Sequence, residues 1–257
     1  MKKYHFINLE NQEETKEANI KPKTKKANWF TFFIIIICIS ISILSANLLS
    51  NFISVGSLAV TSKNTDKVYA ISMGRYSTNS LATERASEIQ NQNGAGYIYT
   101  QNGIYFVLAS AYSSENDAIK VQSKLKEQKI DSEIIEVKIS ITDVDTTNYT
   151  DEEKKIIENA QKIFYETYSS LYDVSISLDN GVIDEVKARV QVSSIKSNVE
   201  ALKSNFDLKI TKKAVSDILK LKLNLHYLNE SLNDLLKNTD SFSSKLKYTY
   251  LYVTQIC

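Results

Sequence analysis

Between residues 68 and 139 the spacing of apolar side chains switches from two to three-or-four and back, twice over. Residues 68–73 alternate around Ile71 and Met73 and stop at Gly74. Ser77, Thr78 and Asn79 then offer capping oxygens ahead of Leu81, Ala82, Ala86 and Ile89, which predicts a strand feeding an amphipathic helix. Asn93, Gly94 and Gly96 stop that helix. Residues 97–100 read as a short strand, and Gln101-Asn102-Gly103 carries the Asn-Gly signal of a tight hairpin into a partner strand over 104–110. Ser114 with Asp117 opens a second helix bearing Ala118, Val121 and Leu125, and residues 132–139 supply the last strand. The pattern predicts an α+β unit of βαββαβ order, with four antiparallel strands and two helices on one face.

The two halves of this stretch repeat each other. YAISMGRYSTNSLATERASEIQNQNGAGYIY (69–99) is echoed by YFVLASAYSSENDAIKVQSKLKEQKIDSEII (105–135), so that Tyr69 falls on Tyr105, Tyr76 on Tyr112, Ser77 on Ser113, Ala82 on Ala118 and Ile98 on Ile134. Such a period means a doubled supersecondary unit, and two copies are too few for a solenoid, so they close on each other. Side-chain alternation places Ile71, Met73, Ile98, Val107 and Ala109 beneath the helices. It leaves Ala70, Ser72, Tyr97, Tyr99, Phe106 and Leu108 on the other, open face.

The openings of the two halves, YAISMGRYS and IYFVLASAYSSENDA, resemble the SPOR domain family, whose strands begin with an aromatic and an aliphatic, reach a Gly, then an aromatic and a Ser. The resemblance covers about residues 66–139. It implies a ferredoxin-like SPOR domain, a non-enzymatic module similar to those that bind bacterial septal peptidoglycan, particularly glycan strands stripped of stem peptides, in division or sporulation. The glycan would meet the open face, through Ser72, Arg75, Tyr97, Tyr99 and Phe106. Family members often carry Gln where this chain has Ser72 and Arg where it has Phe106, so the aromatics and Arg75 would bear most of the contact. Aromatic faces stack on the apolar side of sugar rings, and a guanidinium donates to hydroxyls or carboxylates. A second reading stands beside this one: an apolar sheet face is covered by another part of the protein, here the chain's own C-terminal third.

That last third changes to long helical spacing. Thr150 and Glu153 make a capping box ahead of Ile156, Ala160, Ile163, Thr167, Leu171 and Val174, and Asp179-Asn180-Gly181 breaks the helix. A second helix carries Ala188, Val192, Ile195, Val199, Leu202 and Phe206; a third carries Ile218, Leu221, Leu225, Leu228, Leu232 and Leu235. Their 3,4 spacing calls for helical partners, with Val192, Ile195, Val199, Leu202, Ile218, Leu221, Leu225 and Leu228 as the packing positions of an all-α hairpin or three-helix bundle. These seams are also where a homo-oligomer or a division or sporulation partner would engage. The final SKLKYTYLYVTQIC is apolar and aromatic enough to dock on the bundle or on the sheet.

The N-terminus sets the compartment. No charge occurs between Lys26 and Lys63, and WFTFFIIIICISISILSANLLSNFI (29–53) is long enough to span a bilayer. Lys21, Lys23, Lys25 and Lys26 precede it, which puts residues 1–28, a polar tail, in the cytoplasm and the bulk of the chain outside. A cleaved signal peptide with Ser57-Leu58-Ala59 at its end is the rival, and the run is too long for it. The expected order is therefore tail 1–28, transmembrane helix 29–53, linker 54–65, SPOR-like domain 66–139, linker 140–149 and helical region 150–257.

Composition adds exclusions. Thirty-one Lys and Arg against 30 Asp and Glu, net +1, give no basic field for nucleic acid. With two cysteines, Cys38 in the apolar run and Cys257 at the end, the exported part has no disulfide framework. His226 is its one histidine and has no metal-ligand spacing, and no nucleophile-elbow motif occurs, so neither a cofactor nor catalysis is expected. The sequence expectation is a membrane-anchored, non-catalytic binder of peptidoglycan glycan strands, or a scaffold whose sheet is covered by helices.

Overall fold

The computed structural model describes residues 67–139, 142–211, 216–237 and 240–256. In chain order the elements are β1 (Lys67–Tyr76), α1 (Asn79–Gln90), β2 (Tyr97–Gln101), β3 (Ile104–Tyr112), α2 (Glu115–Glu127), β4 (Glu133–Lys138), α3 (Asp151–Asp179), α4 (Glu185–Lys209), α5 (Ser216–Lys237) and α6 (Phe242–Ile256). The four strands form one antiparallel sheet in the order β2-β3-β1-β4, as the repeat requires. No helix among the described residues is long and apolar enough to cross a membrane. The span expected over 29–53, its tail and the linker 54–65 lie outside the described residues.

Local chemistry explains most of the element ends. Gln101 pairs with Ile104 across a two-residue turn in which Asn102 and Gly103 both take positive φ, 53° and 76°, the conformation that matches hairpin twist. The α3 capping box forms: Thr150 Oγ1 accepts from the Glu153 N–H, and Glu153 Oε2 accepts from the Thr150 N–H at 2.7 Å. The other two expected caps differ. Thr78 and Ser114 occupy the N-cap positions of α1 and α2 without a side-chain cap bond, and Asp117 pairs instead with Lys120 at 3.0 Å.

The sheet separates two apolar layers, and alternation sorts them as expected. Beneath α1 and α2 lie Ile71, Met73 and Val107, with Ala82, Ala86, Ile89, Ala118, Val121 and Leu125 descending from the helices. Leu81 is the exception; it stands half-exposed on the outer side of α1. The other sheet face is not open. Val68, Ala70, Phe106, Leu108, Ala111 and Val137 belong to one continuous core with Ile157, Phe164 and Leu171 of α3 and Leu246, Tyr250, Leu251 and Val253 of α6.

Among the described residues the C-terminal region has four helices, not the two or three expected. α6 accounts for the difference: the final aromatic segment is a helix that packs on α3, α5, β3 and β2 at once. Buried on several sides, it carries apolar residues around most of its circumference and shows no single stripe. Val192, Val199, Ile218, Leu221, Leu225 and Leu228 are buried, while Ile195 and Leu202 are half-buried. Asp207 near the end of α4 ties it to α5, taking Lys203 at 2.7 Å and Lys222 at 2.9 Å. Burial pushes its carboxyl pKa up, and the two lysines outweigh that and hold it below the usual range.

Candidate functional site

The five residues expected to touch glycan are brought together by strand register and then divided by burial. Tyr97, Leu108 and Ser72 form one row across β2, β3 and β1, and Tyr99, Phe106 and Arg75 form the next. The rows are adjacent because β1 bulges between Ser72 and Arg75. Gly74 enables the bulge with φ +146°, and a Cβ there would lie 2.8 Å from the Tyr76 hydroxyl.

Burial then sorts them into three groups. Ser72 and Leu108 are wholly inaccessible and Phe106 is 8% exposed. Ser72 turns its hydroxyl into local bonds, donating to the Gly74 carbonyl at 3.1 Å. Arg75 is exposed at the far end of the row, 3.8 Å from Glu133. Tyr97 and Tyr99 are half-buried on β2, an edge strand. Tyr97 meets Tyr248 of α6 edge to face, with ring centroids 5.2 Å apart. Burial, and then the neighbouring Tyr248, Tyr252 and Tyr99, push the Tyr97 phenol well above its ordinary pKa, so it stays a neutral donor. The face that alternation left open is thus filled by the chain itself.

The cover is hydrogen-bonded as well as packed. The Ala111 N–H donates to the Tyr250 hydroxyl at 3.1 Å, and Ser244 donates to the Gly94 carbonyl at 2.7 Å. The buried Lys247 ammonium reaches the Asn93 carbonyl at 2.9 Å, Ser243 at 2.8 Å and both oxygens of Asp179 at 2.9 and 2.8 Å. These bonds join the α1–β2 turn, the end of α3 and the first turns of α6.

Beside Tyr97 the surface continues into a groove of about 330 Å³ between α5 and α6. Tyr227, Glu230 and Asp234 line it from α5, and Lys245, Tyr248 and Tyr252 from α6. None of these six stood out in the sequence, since i, i+3, i+7 spacing of polar and aromatic residues also describes an ordinary solvated helix face. The recoverable signal was that both helices carry the same spacing. Elsewhere, His226 is exposed beside Tyr227, and no group of three or more His, Cys, Asp or Glu lies close enough to hold a metal ion among the described residues.

A doubled βαβ sheet with two helices on one face is the ferredoxin-like arrangement of a SPOR-type unit. The SPOR domain family model matches residues 65–136, so this part of the chain belongs to the SPOR family, whose domains bind peptidoglycan in bacterial cell division. No curated protein and no solved structure matches the chain.

Proposed function

We propose that this chain is a non-catalytic cell-wall protein that binds denuded peptidoglycan glycan strands during bacterial division or sporulation. It is held to the membrane by residues 29–53 with its N-terminus in the cytoplasm and its C-terminal bulk outside. The observation that carries the reading is the SPOR match over residues 65–136 on a sheet of the matching topology. The uninterrupted apolar run of 29–53 supports the anchor. The sheet face that alternation left open is filled at Ser72, Phe106 and Leu108, so wall binding by the folded chain uses a surface other than the one occupied by α6.

A second reading is favoured by the burial of Ser72, Phe106 and Leu108: the SPOR unit serves as a scaffold in which the sheet anchors the helices, and helix surfaces meet a partner or a second copy. Sedimentation of the full chain with purified sacculi, before and after an amidase removes stem peptides, separates the two. Wall binding predicts co-sedimentation that strengthens on stripping. A scaffold predicts that the protein stays in the supernatant with either preparation.

A further inference from the structure

The groove between α5 and α6 has features that packing does not account for. The seam of α5 is Leu221, Leu225, Leu228, Leu232 and Leu235, all buried, and α6 is held by Leu246, Tyr250, Leu251 and Val253. The groove residues stand beside those seams. Tyr227, Glu230 and Asp234 follow i, i+3, i+7 on α5, and Lys245, Tyr248 and Tyr252 follow the same spacing on α6, so each helix turns one face to the cleft. Tyr227 is 44% exposed, a large side chain left to solvent beside two other tyrosines.

The chemistry of the lining is selective. Three phenol rings offer flat apolar faces with hydroxyl rims, two carboxylates accept hydrogen bonds from hydroxyl and amide N–H groups, and one ammonium supplies a cation. Lys245 Nζ stands 5.1 Å from the centre of the Tyr248 ring. A sugar chain presents this complement, with apolar ring faces, equatorial hydroxyls and N-acetyl amides. The lactyl carboxylate of muramic acid gives Lys245 a counter-charge. An apolar helix would strand Glu230 and Asp234. The volume is of the size that takes a small ligand segment, and the cleft opens to solvent. Burial, then Tyr227 and Tyr248, raise the Tyr252 phenol pKa, so at neutral pH its hydroxyl remains a donor.

We infer that the groove lined by Tyr227, Glu230, Asp234, Lys245, Tyr248 and Tyr252 is a binding site for a glycan strand of N-acetylated amino sugars, entered alongside Tyr97 on the sheet edge. The inference rests on the wall-binding reading above and adds the place. With the sheet face filled by α6, the aromatic edge at Tyr97 is continued by Tyr248 and Tyr252, and the accessible sugar-binding surface passes from the SPOR unit onto the helices.

The test uses the full chain with amidase-stripped sacculi, and N-acetylglucosamine tetramer as competitor. Tyr227→Ala with Tyr252→Ala removes two rings that are partly exposed, and Asp234→Asn removes a charge while keeping the shape. Arg75→Ala, on the far end of the sheet, is the comparison. The inference expects the double variant to lose roughly tenfold in affinity, Asp234→Asn to lose affinity, Arg75→Ala to match wild type, and the tetramer to compete, all with unchanged circular dichroism. Wild-type binding that the groove variants leave intact overturns the inference and leaves wall binding standing. Loss on Arg75→Ala alone returns the site to the sheet and also overturns it. A wild-type chain that fails to sediment removes the wall-binding reading, and the groove site falls with it.

Discussion

The backbone N–H of Ala111 donates to the side-chain hydroxyl of Tyr250 across 139 positions of sequence, at 3.1 Å. Strand β2 ends the pairing on that side of β3 at Tyr97 opposite Leu108, so Ala111 lies past the last β2 partner. A side chain from α6 takes the donor that the ladder leaves behind. The Tyr250 ring packs against Tyr168 and Tyr172 of α3, whose rings each stand 6.0 Å from it in edge-on geometry. One residue thereby joins the sheet, α3 and α6.

Tyr250→Phe keeps the ring and deletes the acceptor, stranding a buried N–H. The expected cost is about 1–3 kcal/mol, and Tyr250→Ala, which also leaves a cavity, should cost about 3–5 kcal/mol. Urea unfolding followed by circular dichroism measures both. A Phe variant as stable as wild type would mean that water or a shift of α6 satisfies Ala111.

Lys247 is 2% exposed and Asp179 10%, so their ion pair is a desolvated one. Lys247→Met should destabilise by about 3–5 kcal/mol, because Asp179 loses its cation and the Asn93 carbonyl its donor. Adding Asp179→Leu should recover a large part of that loss, since the paired charges together gain little over apolar groups of similar size. A double-mutant cycle by denaturant titration reads the coupling. Strictly additive losses would show that the two residues act separately.

Alkaline pH should loosen the same region. Burial raises the phenol pKa values of Tyr97, Tyr168, Tyr172 and Tyr250; neighbouring tyrosines add to it for Tyr97, Tyr168 and Tyr250, and nearby Asp residues for Tyr168 and Tyr172. In the unfolded chain these phenols titrate near the ordinary value of about 10. Below that pH both states hold the proton and stability is full. Above it the unfolded chain releases protons that the folded one keeps, so stability falls as pH rises. Tyrosinate absorbance should rise in two stages, the exposed rings first and these four only as the fold is lost. A single smooth titration of all rings with native circular dichroism retained would contradict the burial.

The sheet was legible in the sequence because each of its devices is local. Asn102-Gly103 sets the turn, Gly74 the bulge, and alternation at Ile71, Met73 and Val107 assigns one face to α1 and α2. Alternation also identifies Phe106 and Leu108 as facing away, and the apolar C-terminal third offers itself as their cover, but which of its segments lies on them is decided by contacts made over more than a hundred residues. The covering segment hides itself: Tyr248, Tyr250 and Tyr252 alternate with Thr249 and Leu251 as a strand would, and β-branched and aromatic residues favour that reading. Contact with α3, α5 and the sheet together overrides the local preference, and α6 is helical. The groove escaped notice for a related reason: its two halves lie on different helices, and only their packing makes one cleft.

Phe106 offers the sharpest test of how the sheet and its cover depend on each other. It is buried at 8% exposure in the core that the sheet shares with α3 and α6, in the row with Tyr99 and Arg75. Phe106→Arg would place a guanidinium in that layer with no carboxylate built to receive it, at a cost of several kcal/mol if it stayed dry. Arg75 already occupies the neighbouring position, so the new charge would also meet a like one. The sheet itself need not unfold, because its other face keeps Ile71, Met73 and Val107 packed under α1 and α2. The cheaper response is for α6 to lift away and let water reach the arginine. Hydrogen exchange should then accelerate across 242–256 while β1 and β3 stay protected. Equal acceleration in both would mean that the sheet cannot stand without its cover, and no change in either would mean that the arginine escapes along the sheet edge.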